Sequence, residues 1–201
     1  RLTKLAELVH PGRIVPATCD IVDIAGLVKG ASRGEGLGNQ FLGNIRECDA
    51  IIHVLRCFDN GNIVHVDGSV DPVRDKEIID TELQLKDLET VETRIKRVEK
   101  LANVGGDKQA KIEYGLLLRY KEALEQGKSA RVVELENEEE VVASKNMFLL
   151  TTKPVLYVCN VDDTSAKEGN QYVDAVRNAI QGEDAELIII SAQTEADIAD
   201  L

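Results

Sequence analysis

Four short apolar segments, rich in β-branched residues, recur along the chain, and each is followed by glycine-rich, polar or helix-forming sequence. Runs of this length predict buried strands, and their alternation with helical sequence predicts an α/β fold with a parallel sheet. The first run is also compatible with an edge strand, because Pro16 and Thr18 dilute its apolar content. The predicted strands cover residues 17–22, 50–57, 154–159 and 186–190.

Residues 80–145 differ from their surroundings, because charged and apolar positions there alternate at helical spacing. We expect an inserted helical domain, which divides the sheet-forming domain into residues 1–79 and 146–201. The first helix of the insert carries an apolar seam with heptad spacing, typical of a coiled coil. The seam consists of Leu88, Val91, Ile95, Val98 and Ala102.

Residues 103–107 predict a turn between two antiparallel helices. A glycine there suits the left-handed cap that ends the first helix, and Asp107 suits the N-cap of the second. We predict the second helix over residues 108–125, ended by Gly127. Its predicted return face consists of Tyr114, Leu117, Leu118, Tyr120 and Leu124.

Composition narrows the class of protein. With 43% apolar and 30% charged residues among 201, the chain is expected to fold as a soluble globular core with an appendage. It has no apolar run near the ~20 residues that cross a bilayer, and its start does not resemble a signal peptide. Four scattered cysteines favour neither zinc nor disulfides, so we expect a reducing cytoplasm. The net charge of -12 opposes nonspecific binding to nucleic acid.

The first predicted strand leads into Asp23, which begins an Asp-x-x-Gly sequence that ends at Gly26. An acid at the carboxyl end of a parallel strand lies where α/β proteins bind ligands. In P-loop hydrolases an Asp at this place holds Mg²⁺, usually through a water, and the glycine N–H reaches the γ-phosphate. Taken alone, four residues favour an ordinary turn at the end of a strand.

The continuation favours a switch, because five glycines lie between residues 26 and 38, ahead of a predicted helix. A segment that orders around a γ-phosphate and releases after hydrolysis needs such backbone freedom, whereas a purely structural loop does not.

The sequence of residues 23–58, which includes Asn39-Gln40-Phe41-Leu42 and Asn44-Ile45-Arg46-Glu47, closely resembles the YchF subfamily of Obg-related P-loop proteins. The resemblance extends over essentially the whole chain. It implies the Ras-like parallel sheet of a P-loop NTPase, here incomplete at its N-terminus, with an inserted coiled-coil hairpin. It also implies hydrolysis of chiefly ATP with Mg²⁺, and an association with ribosomes.

Two further residues take their expected roles from this resemblance. The glutamine that orients the attacking water in many GTPases is apolar in the family, and Leu27 holds that position. A histidine in a mobile loop takes part instead, and His65 matches it. A near-neutral pKa suits a water-positioning group, although a surface histidine is equally compatible with the sequence. We expect His53, inside a predicted strand, to be a core residue.

The third predicted strand leads into Asn160-Val161-Asp162-Asp163, which resembles the base-recognition motif of these proteins. YchF proteins usually carry Asn-x-x-Glu, so Asp163 departs from the pattern and could restore an acceptor that suits guanine. A buried polar group discriminates strongly when the wrong base leaves it unpaired. ATP is favoured, and GTP remains the alternative.

After the last strand, Ser191-Ala192-Gln193 resembles the short motif that contacts the purine from its other side. A plain strand-to-helix cap, with Ser191 or Thr194 as the N-cap, explains the same residues.

The phosphate-binding sequence Gly-x-x-x-x-Gly-Lys-Ser/Thr does not occur in the 201 residues. We therefore expect the chain to be part of a longer protein that also carries the family's TGS domain, and to be inactive alone.

The predicted hairpin is the basic part of an acidic chain, with 11 Lys and Arg against 8 Asp and Glu over residues 86–131. This charge would suit a ribosome or RNA contact, although a solvated helix surface explains it as well. We therefore expect either a nucleotide hydrolase switch or a nucleotide-gated binding module in which hydrolysis is incidental. The basic residues nearest the predicted hairpin tip are Lys96, Arg97, Lys100, Lys108 and Lys111.

Overall fold

A computed structural model describes residues 2–24, 37–62, 68–104 and 106–201. Three strands are formed within these ranges, namely β1 (Ile51–Arg56), β2 (Val155–Asn160) and β3 (Ala185–Ile190). The helices are α1 (Leu2–Val9), α2 (Leu37–Glu47), α3 (Pro72–Val104), α4 (Lys108–Glu125), α5 (Glu138–Lys145), α6 (Gln171–Ala179) and α7 (Ala192–Ala199). No helix of this described part is long and apolar enough to span a membrane.

The strands form one parallel sheet in the order β1-β2-β3. The register pairs Asn160, the last residue of β2, with Arg56 on one side and Ile190 on the other. The carboxyl ends of all three strands therefore meet at one edge. The α/β class and three of the four predicted strands are confirmed.

The predicted strand at residues 17–22 is wrong. Residues 13–24 adopt no regular secondary structure, and Ile21 and Val22 are 79% and 61% exposed. A strand is stabilised by a ladder of hydrogen bonds to a neighbour and by burial of one face. Among the described residues, this segment has neither of these, and Pro16 has no N–H to donate. An apolar run alone does not specify a pairing partner.

The main hydrophobic core lies between the sheet and α6, where Leu55, Tyr157 and Cys159 pack with Val173 and Val176. These five side chains are at most 2% exposed. The end of α6 that faces the carboxyl edge is held by its N-cap, because Asn170 Oδ1 accepts hydrogen bonds from the N–H groups of residues 172 and 173. His53 is half-buried with its ring 5.6 Å from that of Tyr157, and burial lowers its pKa.

The helical hairpin consists of α3 and α4. Its second helix has the predicted bounds, because Asp107 Oδ1 accepts hydrogen bonds from the N–H groups of Gln109 and Ala110 at 2.9 and 3.2 Å. Gly106 and Gly127 take the left-handed conformations, φ +65° and +70°, that turns after helices require. The first helix begins earlier than predicted, with Pro72 at the position where proline is favoured.

The hairpin is held together by a second hydrophobic core. Val91 of α3 is fully buried against Leu116, Leu117 and Tyr120 of α4. The predicted seam is confirmed, because all five of its positions are buried or half-buried. The predicted place of Leu118 in this interface is wrong, since it is 44% exposed and Leu116 packs there instead. At about 100° per residue, a position two beyond 116 points away from α3.

A buried junction joins the hairpin to the sheet. Asp87 of α3 is fully buried and accepts hydrogen bonds from the backbone N–H groups of Leu150 and Thr151, at 2.8 and 2.7 Å. From the same loop, Lys153 Nζ donates to the carbonyl oxygens of Arg46 and Cys48 at the end of α2. The loop that leads into β2 therefore contacts both α2 and α3.

Candidate functional site

Side chains from the ends of β2 and β3 meet at the carboxyl edge of the sheet. Asn160 Oδ1 accepts a hydrogen bond from the backbone N–H of Ala192 at 3.0 Å. This N–H belongs to the first turn of α7, where backbone donors have no partner within the helix. The Asn160 side chain thereby holds the start of α7 against the end of β2.

Asp163 lies in the turn that follows β2, and its carboxylate contacts the start of α7. Its Oδ1 atom accepts hydrogen bonds from Ser191 Oγ at 2.6 Å and from Thr194 Oγ1. The two hydroxyl oxygens lie 2.9 Å apart. The hydrogen bond from Ser191, which has the largest effect, and the one from Thr194 lower the pKa of Asp163 below the usual carboxyl range. Asp163 is therefore an anion at neutral pH.

Ser191 performs two tasks with one hydroxyl group. It is buried, at 4% exposure, and its oxygen caps α7 by accepting from the N–H of Thr194. Its proton is directed at Asp163. Capping by Ser191 and closeness to Asn160 were both anticipated from the sequence. The contact of Thr194 with Asp163 was not, because it joins positions 31 residues apart.

The two residues between Asn160 and Asp163 shape the loop. Val161, predicted to be a nucleotide contact, has its side chain in the main core at 3% exposure, and its N–H donates to the Ile190 carbonyl. It supports the site by packing and presents no side chain to a ligand at this edge. Asp162 Oδ1 accepts from Thr164 Oγ1 at 2.6 Å and from Ser165 N at 2.9 Å. These bonds lower the pKa of Asp162 and close the turn.

The end of β1 contributes residues that the sequence interpretation missed. Arg56, paired with Asn160, donates from Nε to the Phe58 carbonyl at 3.1 Å, and its guanidinium lies 4.9 Å from the Phe58 ring. Beside it, Tyr172 donates to Asp59 at 2.8 Å. An arginine inside the second predicted strand and a phenylalanine directly after it were the available signal. An aromatic ring and a cation therefore stand at the same edge.

The residues predicted to form the switch are only partly described. Asp23 is exposed, while the neighbouring Ile24 is half-buried against Leu42 and Leu83. Gly26, Leu27 and the glycine-rich segment through residue 36 lie outside the described residues, as does His65. Among the residues that are described, no three His, Cys, Asp or Glu side chains cluster to hold a metal ion. Asp23 is thus a candidate for one metal ligand rather than for a complete protein site.

At the far end of the hairpin, the five basic residues predicted to cluster near its tip are all exposed. Lys108 forms an ion pair with Glu139 at 2.8 Å. Within the part of the chain that the structure describes, the other four form no salt bridge. They are Lys96, Arg97, Lys100 and Lys111.

Comparisons with known proteins agree with this architecture. The 50S ribosome-binding GTPase family matches residues 7–103. The ribosome-binding ATPase YchF of Bacillus subtilis is 51% identical over 203 residues, which cover 100% of this chain and 55% of that protein. Its counterpart from Escherichia coli O157:H7 is 50% identical, with 100% and 54% covered. Obg-like ATPase 1 of Caenorhabditis elegans is 44% identical, with 94% and 48% covered. The chain spans about half the length of these relatives.

A solved structure supports the same relationship. The Schizosaccharomyces pombe YchF GTPase superposes with a TM-score of 0.78 at 35% identity, over 100% of this chain and 55% of that one. The two bacterial relatives are about one half identical along the entire chain, and the solved structure shares its fold. The chain belongs to the YchF family of Obg-related P-loop NTPases.

Proposed function

We propose that this chain forms the second-switch and base-recognition part of a protein that hydrolyses ATP or GTP to the diphosphate. The observation that carries the proposal is the convergence of Asn160, Asp163 and Ser191 with the Ala192 N–H at the carboxyl edge of the sheet. Ligands of open α/β sheets bind at this edge. Relatives that match 94–100% of the chain are named as ATPases or as a GTPase, in line with this activity.

Each residue of the edge has a proposed task in binding the base. Asn160 fixes the start of α7 relative to β2, so that the two elements present a rigid binding surface to a purine. The anionic Asp163 accepts a hydrogen bond from a donor on the base. Ser191 holds that carboxylate in place, and the backbone at Ala192 borders the ring from the other side.

Mg²⁺ is the metal that this chemistry requires, and Asp23 is suited to be one of its ligands. Mg²⁺ binds through one or two carboxylates plus substrate phosphates and keeps several waters, so a single exposed Asp is a sufficient protein contribution. When bound, the ion neutralises charge that develops on the phosphates. Gly26 is proposed to bring its N–H to the γ-phosphate.

His65 is proposed to position the attacking water, since Leu27 has no group that could do so. The experiment is to measure ATP turnover of full-length protein with His65→Ala, beside His10→Ala as the matched control. Lower turnover at unchanged ATP affinity is expected for His65→Ala alone. Equal turnover of both variants would remove His65 from the mechanism.

A second candidate is a nucleotide-gated binding module, and the exposed basic hairpin tip is the observation that favours it. The bacterial relatives are named as ribosome-binding, so we propose the ribosome as partner, with the tip as the contact. Turnover that rises on adding ribosomes would favour the hydrolase switch. Nucleotide-dependent ribosome binding with unchanged turnover would favour the binding module.

A further inference from the structure

We infer that Thr194 sets the base preference of this site in favour of adenine, by occupying the part of Asp163 that guanine would need. The inference rests on the proposed nucleotide-binding function. It concerns a positioning residue that acts through Asp163 and does not itself touch the nucleotide.

The two purines differ in what they offer to a carboxylate. Guanine presents two adjacent donors, N1–H and the N2 amino group. A carboxylate can accept a hydrogen bond from each of them, one on each oxygen. Adenine presents one exocyclic amino group beside a ring nitrogen that is an acceptor. A carboxylate with two free oxygens therefore favours guanine, and one with a single free oxygen loses that advantage.

In this structure one oxygen of Asp163 is already in use. A carboxylate oxygen has about two lone-pair sites, and those of Oδ1 accept from Ser191 at 2.6 Å and from Thr194. Within the described residues, Oδ2 accepts no hydrogen bond. Asp163 therefore offers a single oxygen, which suits the amino group of adenine and not the paired donors of guanine.

Of the two hydroxyl groups that donate to Asp163, that of Thr194 is the one that can be removed with less disturbance of α7. Ser191 is buried and caps α7, so its removal would disturb the helix as well as the carboxylate. Thr194 is only half-buried, and Thr194→Val replaces a hydroxyl with a methyl group of similar size. This change should free one lone-pair site on Oδ1 and leave the fold unchanged.

The test is calorimetric titration of ATP, GTP and inosine triphosphate into full-length protein with and without Thr194→Val. We expect the ratio of ATP to GTP affinity to fall by about tenfold, the effect of one hydrogen bond to a charged group. Inosine lacks the N2 amino group, so the gain should be smaller for inosine triphosphate. If Thr194 had only a structural role, Thr194→Val would change the affinities for GTP and for inosine triphosphate alike.

Two variants serve as matched controls. Thr194→Ser keeps the hydroxyl and should keep the wild-type ratio. Thr164→Val removes an equivalent hydroxyl, which binds Asp162 at 2.6 Å instead of Asp163, and should also leave the ratio unchanged. An unchanged ratio in Thr194→Val, with both nucleotides bound, would overturn this inference alone. Failure of the wild type to bind either nucleotide would overturn the proposed function as well.

Discussion

Asp87, on α3, accepts hydrogen bonds from both the backbone N–H and the side-chain hydroxyl of Thr151, each at 2.7 Å. Thr151 Oγ1 in turn accepts from the N–H of Ala130, so one buried chain of hydrogen bonds links the hairpin to the loop before β2. Both oxygens of Asp87 are used, because Leu150 donates to the other.

We predict that Asp87→Asn lowers the free energy of unfolding by about 1–3 kcal/mol, because the new amide group turns a donor toward one of these N–H groups. Urea denaturation followed by circular dichroism measures the change. Asp184→Asn, at an exposed position, is the control and should stay within about 0.5 kcal/mol of wild type. Equal stability of the two variants would show that the junction is not structural.

Lys76 forms a second link, between α3 and the segment before β3. It is 5% exposed and its Nζ lies 2.6 Å from a carboxylate oxygen of Asp80 and 2.6 Å from one of Glu183. Burial alone would lower the pKa of Lys76, but these two carboxylates raise it. The lysine is therefore charged throughout the neutral range.

Replacing Lys76 with Met should destabilise the fold by about 2 kcal/mol, because two partly buried carboxylates lose their counter-ion. Lys86→Met is the matched control on the same helix, since its partner Glu89 is largely exposed and such pairs contribute little. Thermal unfolding at equal concentration compares the two. A Lys76→Met protein no less stable than Lys86→Met would contradict a stabilising role for the buried pair.

The titration of Asp163 should make the stability of the folded state depend on pH. Since Ser191 and Thr194 lower its pKa, their stabilisation of the folded state is fully present above the pKa of the unfolded chain. It is lost as pH falls through the lower pKa of the folded state. Carbon-detected NMR should therefore find Asp163 titrating below an ordinary aspartate, and Thr194→Val should raise its pKa. An identical titration in both proteins would show that the hydroxyl of Thr194 does not bind the carboxylate.

The proposed contact of the hairpin tip with the ribosome should be electrostatic. Charge reversal of Lys96, Arg97 and Lys100 to Glu is expected to weaken binding of full-length protein by at least about tenfold, with a smaller salt dependence. Reversal of Lys4, Lys145 and Lys167, which are exposed elsewhere, changes the net charge equally and is the control. Similar losses in both sets, measured by co-sedimentation, would assign the effect to net charge alone.

Local chemistry was the part of the fold that the sequence predicted well. The cap of Asp107 and the stop at Gly127 bound α4 correctly, because each depends on a residue type with a specific backbone preference. The buried strands were also recognisable from their own composition. Errors arose where a partner decides the outcome, as at residues 17–22, which have strand-like composition and no strand beside them in the described part of the chain.

The candidate site divides in the same way. Asn160, Asp163 and Ser191 could be grouped beforehand, because parallel strands deliver their carboxyl ends to one edge. The bond between Thr194 and Asp163 depends on how the start of α7 is rotated, which no local pattern specifies. Asp23, Gly26 and His65 remain predictions in their functional roles.

If the carboxyl edge of this sheet binds a purine nucleotide, loss of the Asn160 side chain should weaken the binding of ATP. Calorimetric titration of ATP into full-length Asn160→Ala protein measures this effect. Asn178→Ala, which removes an exposed asparagine from α6, is the control. We expect ATP to bind the wild type and the control equally, and to bind Asn160→Ala at least about tenfold more weakly. ATP affinity that is the same in all three proteins would contradict it.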